Sequence, residues 1–367
     1  MAWDFYQILL SKQRLRLVKE EAMCSSKINI SRAITSSRHN SETCVYRHAK
    51  YNGKYVVLKT STKLATSLTY VIEAVIHEYL MRRSPSYIPK LIRVAFAEKP
   101  PGGKDRLILC SEELRTHKSV NSWLHTMSRN GNPNKRIWTM LKYVCISLRN
   151  LQTRAQFTHR DCHTSNVYYD ETNRQEKIKF IDFDWSSIRI HQSVVSVPQY
   201  LFDTDRKYYG RNRSVDICVF MRTLGNNLRQ ILKKERLVSN AVIFTPETIA
   251  HASYLKRFGS AVNKFYQYIW EPLMARYDRD SRIVLESHAS EDITADQLLK
   301  SCLDKNRNFS HANGILNLET SAKAKRAKGG KADGGLIFDY RMGHYEYPSM
   351  IPQAVLDFLE LHKSKMY

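Results

Sequence analysis

Hydrophobic and polar positions divide the chain into a front portion with strand-like runs and a longer portion with helical periodicity. Over the first 25 or so residues Phe5, Ile8, Leu9, Leu15 and Val18 recur near helical spacing with basic residues between them, predicting an amphipathic helix. Thr43-Cys44-Val45-Tyr46-Arg47 and Tyr55-Val56-Val57-Leu58-Lys59 are β-rich runs joined through Tyr51-Asn52-Gly53-Lys54, and Asn-Gly predicts a hairpin. A helix follows from Leu68 to Arg83, stopped by Ser84-Pro85, and a strand at 106–110 follows the Pro-Pro-Gly-Gly turn. From Lys135 to Arg154 the apolar positions Ile137, Leu141, Val144, Leu148 and Leu151 mark a helix with one buried face. A short strand at 177–181 precedes an irregular polar stretch. Further helices are predicted at 214–234, 250–276, 295–303 and 352–363. No repeat is present. The outline is a small β-rich lobe followed by a larger α-rich one.

Composition fits a globular protein, with 43% hydrophobic and 25% charged residues, and excludes wholesale disorder. No apolar run is long enough to span a membrane. The N-terminus lacks the pattern of a secretory leader. Seven cysteines, an odd number without a CxxC pair, read as reduced thiols and so as an intracellular protein of cytoplasm or nucleus. The net charge of +23 is unevenly spread: residues 1–150 hold 26 basic and 10 acidic groups, whereas 151–200 are neutral. A basic front portion suits an acidic protein partner or nucleic acid, though a solvated surface has the same composition. The run at 323–331, with five basic residues, reads as a loop, nuclear signal or nucleic-acid patch.

Chemistry concentrates in the neutral stretch. His159-Arg160-Asp161-Cys162-His163-Thr164-Ser165-Asn166 has the spacing HRDxxxxN, and Asp182-Phe183-Asp184 stands just after an apolar strand. One carboxylate can orient an attacking hydroxyl and take its proton, while an amide and a second carboxylate can hold Mg²⁺ against nucleotide phosphates. Upstream, Val56-Val57-Leu58-Lys59 ends a predicted strand, and the next helix carries Glu78, with Glu73 as the rival partner for Lys59. Ser214-Val215-Asp216 opens a helix 34 residues beyond Asp182.

On these motifs the chain resembles the protein kinase superfamily over roughly residues 28–310, and within it the divergent kinase-like proteins of large DNA viruses. The resemblance implies an α+β, bilobal fold: an N-terminal helical extension (1–27), an N-lobe (28–115), a C-lobe (116–310), and a basic loop with a C-terminal helix (311–367). It implies ATP and Mg²⁺ as cofactors and transfer of the γ-phosphoryl group to Ser or Thr of a protein substrate. Asp161 would be catalytic base, with Lys59 paired to Glu78; Lys59, Ser36, Ser37, Val45, Glu112, Asn166 and Asp182 would contact nucleotide, and Asn166 and Asp182 the metal.

The pattern departs from the family in three places. The stretch 34–45 before Lys59 contains no glycine, which favours a pseudokinase scaffold that binds a partner without turnover. Asp184 replaces the glycine of DFG, as in small-molecule phosphotransferases, which opens that second alternative. The segment after Asp182 has no APE; Ser186, Ser187, Ser193, Ser196 and Thr204 are its candidate hydroxyls, with Arg160 as a phosphate partner.

Overall fold

The structure is a computed structural model. It describes residues 17–19, 28–33, 44–51, 53–61, 64–97, 106–127, 132–173, 176–190, 193–196, 213–239, 246–273, 275–277, 279–280 and 347–366. The fold is α+β, and the chain divides into two compact units.

The first unit is built on a six-stranded sheet, ordered β1-β5-β6-β4-β3-β2. Its strands are β1 (Leu17–Lys19), β2 (Ile28–Ala33), β3 (Cys44–Tyr51), β4 (Lys54–Ser61), β5 (Leu91–Ala97) and β6 (Arg106–Glu112). β3 and β4 form the expected hairpin, in unbroken register from Cys44 opposite Ser61 to Tyr51 opposite Lys54. Gly53 has φ +74°, the left-handed conformation such a tight turn requires and glycine adopts without strain. The β4–β6 pairing sets Lys59 opposite Leu109. Helix α1 (Leu64–Arg83) covers one face, where Tyr70, Val71, Ala74 and Val75 pack with Leu91, Val94 and Leu109. Ala49, Val56, Leu58, Ile108 and Cys110 form a second buried cluster.

One element overturns the local pattern. Where an N-terminal helix is expected, Leu17–Lys19 is a strand, parallel to β5 with Val18 opposite Ala95. Pairing with a sheet edge outweighs helical periodicity, because the edge offers unpaired backbone groups that a strand satisfies. The rest of that segment lies outside the described residues, as do the helix expected at 295–303 and the basic run at 323–331. Also in this unit are β7 (Lys118–Ser119), β8 (Val167–Tyr169) and β9 (Ile178–Phe180), one small sheet, and the hairpin β10 (Ser187–Ile190) and β11 (Ser193–Ser196).

The second unit is helical: α2 (Val120–Thr126), most of α3 (Pro133–Ala155), α4 (Val215–Ser239), α5 (Pro246–Phe265), α6 (Pro352–Leu361) and α7 (Lys363–Met366). Trp138 Nε1 donates to Leu359 O at 3.3 Å, and Lys142 pairs with Glu360, joining α3 to α6. After α5 the helix widens into a π turn, Tyr266–Trp270. That turn sets Trp270, fully buried, against Gly225 of α4, where an added Cβ would stand 2.8 Å from the indole. Tyr266 Oη donates to Gly225 O at 2.7 Å. The extra helix propensity of alanine, up to about 1 kcal/mol, cannot offset an overlap that a rigid ring must yield to. Gly225→Ala is therefore expected to lower unfolding free energy by about 1–3 kcal/mol, measured by urea denaturation; a neutral or stabilising change would contradict this packing.

Among the described residues no helix is long and apolar enough to cross a membrane.

Candidate active site

Lys59 reaches the site from β4, whose pairing with β3 and β6 fixes it in the middle of the sheet. Its Nζ donates to Glu73 Oε2 at 2.8 Å and to Asp182 Oδ1 at 2.5 Å, and lies 3.8 Å from Asp184 Oδ2. Both Lys59 and Glu73 are buried. Glu73 is fully employed: its other oxygen, Oε1, accepts the Phe183 N–H at 3.4 Å. One side chain thus ties the ammonium group of β4 to the backbone beyond Asp182.

The expected partner Glu78 is a correction. It pairs with Arg82 in the next turn of α1, Nη2 to Oε1 2.6 Å, and not with Lys59. Five residues of α-helix turn the side-chain direction by about 140°, so Glu73 and Glu78 cannot face the same lysine. Glu73 shares its helix face with Tyr70 and His77, at spacings of three and four. The Lys59 ammonium lies 5.0 Å from the centre of the Tyr70 ring. His77 Nε2 donates to Pro89 O at 2.7 Å, and its ring packs edge-on against Phe183 at 5.1 Å.

The catalytic-loop residues follow α3. His159 Nε2 donates to Ile181 O at 3.0 Å, and Ile181 N donates to Asn166 O at 3.1 Å, so the loop and the Asp182 strand end are stitched together. Asn166 Nδ2 donates to Asp161 O at 3.0 Å and to Asp161 Oδ2 at 3.2 Å. This holds the Asp161 carboxylate and leaves Asn166 Oδ1 as the atom able to meet a cation. Arg160 and Asp182 have φ of +64° and +67°, a left-handed conformation that costs energy for residues with a Cβ. Two such residues flank this site, and the hydrogen bonds above are what hold them there.

Electrostatically the cluster has one ammonium facing four carboxylates, Glu73, Asp161, Asp182 and Asp184. Burial, then the neighbouring Asp182 charge, push Asp184 well above the usual carboxylate range, with Lys59 pulling the other way and Glu73 and Asp161 adding to the rise. Its Oδ1 is buried without a hydrogen-bond partner. Burial also raises Glu73, against the attraction of Lys59. A buried oxygen lacking a donor, in a surplus of negative charge, fits a divalent cation. No three His, Cys, Asp or Glu side chains converge as a ready metal cage among the described residues. Mg²⁺ does not require one, because it keeps waters and takes one or two carboxylates together with substrate phosphates.

Burial pushes His77 down to about 4. A histidine depressed in the folded state stabilises the fold fully above its ordinary value of 6.5 and loses that contribution as pH falls toward 4. Stability is expected to drop by up to about 3 kcal/mol between pH 6.5 and 4 from this residue alone. Denaturant melts across that range, compared with His77→Phe, check it: the variant should show a shallower decline, and an identical slope would refute it.

Other expected site residues are placed less centrally. Val45 pairs with Thr60 in the β3–β4 register. Glu112 ends β6; its N–H donates to Lys90 O and that of Glu113 to Tyr55 O, so neither amide is left for a nucleotide base. Ser36 and Ser37 lie outside the described residues, as does Thr204. Ser186 and Ser187 are buried and so closed to modification, and the Ser186 hydroxyl braces the loop, its Oγ donating to His159 O at 3.2 Å. Cys162 is a buried free thiol beside His163, and no metal grouping forms around it.

Residues 37–197 match the family model of the lipopolysaccharide kinase (Kdo/WaaP) family, a group within the protein kinase-like superfamily. That span is similar to a protein kinase-like domain. The matched span is somewhat under half of its 367 residues and includes Lys59, Glu73, Asp161, Asn166, Asp182 and Asp184. A kinase family implies phosphoryl transfer and use of ATP. No curated protein matches the chain, and the narrower likeness to kinases of large DNA viruses is not shown.

Proposed function

We propose that the protein is a kinase that moves the γ-phosphoryl group of Mg²⁺-bound ATP onto a hydroxyl group. The observation that carries this reading is the Lys59 ammonium held at 2.8 Å by Glu73 and at 2.5 Å by Asp182, in the unit that also fixes Asp161 through Asn166. Lys59 exchanges its contact with Asp182 for phosphate oxygens when nucleotide enters, while Glu73 keeps the ammonium in place. Asp161 lies ready to orient the acceptor hydroxyl and take its proton. Asp182 and Asn166 Oδ1 would hold the metal, with Asp184 as a further oxygen donor, and when bound it would supply charge neutralisation. Everything else is positioning, which is what phosphoryl transfer chiefly requires.

For the acceptor, the likeness to the lipopolysaccharide kinase family favours a saccharide hydroxyl. Asp184, carried into the cluster where protein kinases have glycine, agrees with a small-molecule acceptor. A protein Ser or Thr is the second reading, favoured by Asp216, wholly buried in the first turn of the long helix α4, and by the 34-residue interval from Asp182. Within these readings the N-lobe is bounded near 28–115 and the C-lobe near 116–310, and the first compact unit takes in 150–161 and 165–211 as well. An intracellular setting, with ATP at hand, suits the buried cysteines Cys110, Cys145, Cys162 and Cys218, none of which is in a disulfide among the described residues. A partner without turnover, protein or nucleic acid, remains the role of the basic surface if the site is silent.

Radiolabelled ATP offered with a lipopolysaccharide core oligosaccharide, and separately with acidic and basic proteins, distinguishes the acceptors. Labelled saccharide is the expected product. Labelled protein alone would transfer the assignment to the second reading, and no label on any acceptor would contradict phosphotransfer to these classes.

A further inference from the structure

Beyond Asp184 the chain does not run free; it folds into the β10–β11 hairpin and returns to α1. Thr158 and Ser187 exchange backbone hydrogen bonds at 2.9 and 2.8 Å, pinning the base of the hairpin beside the catalytic loop. Its register runs from Ser187 opposite Ser196 to Ile190 opposite Ser193. At α1, Tyr79 Oη donates to Arg189 O at 3.5 Å, and Val195 packs against the cluster containing Tyr70, Val71, Ala74 and Val75. Tyr70 and Glu73 are one turn apart on that helix, and Tyr70 also meets the Lys59 ammonium.

This geometry bears on how Glu73 keeps its place. An ion pair buried this deeply pays heavily in lost hydration and does not by itself fix a 20-residue helix. A helix moves as a rigid body, and a shift of about 1–2 Å is enough to break a hydrogen bond of the Lys59–Glu73 kind. Leu91, Val94 and Leu109 of the sheet hold α1 from one side, and Val195 of the hairpin packs on the same cluster as a second support.

We propose that the β10–β11 hairpin braces α1 and that Val195 is a positioning residue for phosphotransfer, acting through Glu73. The brace is an aliphatic contact, complete in the unmodified chain, so the Lys59–Glu73 pair forms without phosphate on the segment after Asp182. The catalytic half of this inference rests on the kinase reading; the structural half does not.

A double-mutant cycle separates positioning from general damage. Val195→Ala is expected to lower kcat about tenfold in the otherwise unchanged protein, yet less than twofold when Glu73→Gln is already present. Val195→Ile should restore kcat. Equal losses in both backgrounds, or no loss in the first, would overturn the proposal. Hydrogen exchange tests the brace without turnover: in Val195→Ala, amides of residues 70–83 and of Phe183 should exchange faster while those of 133–149 do not change. Unaltered exchange at 70–83 and Phe183 overturns the proposal even if the protein is an active kinase. Faster exchange there in a protein that transfers no phosphate would uphold the brace and reject the kinase reading.

Discussion

Glu73→Gln is expected to lower kcat/KM for ATP by about 10²–10³, whereas Glu78→Gln leaves it within about twofold, because Glu78 is tied to Arg82 and not to Lys59. The difference follows from what each carboxylate touches. Glu73 holds the Lys59 ammonium and the Phe183 amide together, so its loss frees the group that must meet the phosphates and loosens the backbone beside Asp182. Glu78 touches Arg82 on its own helix. Initial rates with saturating acceptor, at several ATP concentrations, measure both variants. Equal losses would show that the partner of Lys59 in the working enzyme is not the one seen here.

The second large effect concerns Asp161. Asp161→Asn removes the proton acceptor while keeping shape, and is expected to reduce phosphotransfer by about 10²–10⁴, with ATP affinity changed less than threefold. Asn166→Ala should lower the rate as well, but through two routes: it frees Asp161 and removes an oxygen suited to the metal. It therefore raises the Mg²⁺ concentration needed for half-maximal rate, which Asp161→Asn does not. Titrating Mg²⁺ at fixed ATP in the two variants tells base from metal support.

Much of this site was legible because its parts are local. Asn-Gly fixes the β3–β4 hairpin, and a hairpin in unbroken register delivers Lys59 to a set position on the sheet. The HRDxxxxN spacing brings Asn166 back onto Asp161 within one loop, and an apolar strand leads directly to Asp182. Which glutamate meets Lys59 depends instead on helix phase, and spacing along the chain does not report that. The signal lay in a flanking residue: Arg82, four positions after Glu78, supplies it with a partner of its own. The strand at Leu17–Lys19 and the brace at Val195 are tertiary pairings, made by residues whose own sequence says little. The fourth acid, Asp184, was visible as a departure. Only the folded structure shows its buried oxygen without a donor.

The basic front portion takes on a different meaning beside this site. Lys59 and Glu73 come from the most basic part of the chain, where residues 1–150 hold 26 basic against 10 acidic groups, while Asp161, Asp182 and Asp184 come from its neutral stretch. Polyanionic nucleotide is drawn toward such a surface, and the carboxylates then require a cation to receive it.

Transfer of the labelled γ-phosphoryl group from ATP, followed with and without Mg²⁺ in the unaltered protein and in Asp161→Asn, tests the central claim most directly. Mg²⁺-dependent transfer to a hydroxyl acceptor, cut about 10²–10⁴-fold by the substitution while ATP still raises the melting temperature of both proteins, is the predicted result. Transfer that persists undiminished in Asp161→Asn, or a protein whose melting temperature ignores Mg²⁺-ATP altogether, would contradict it.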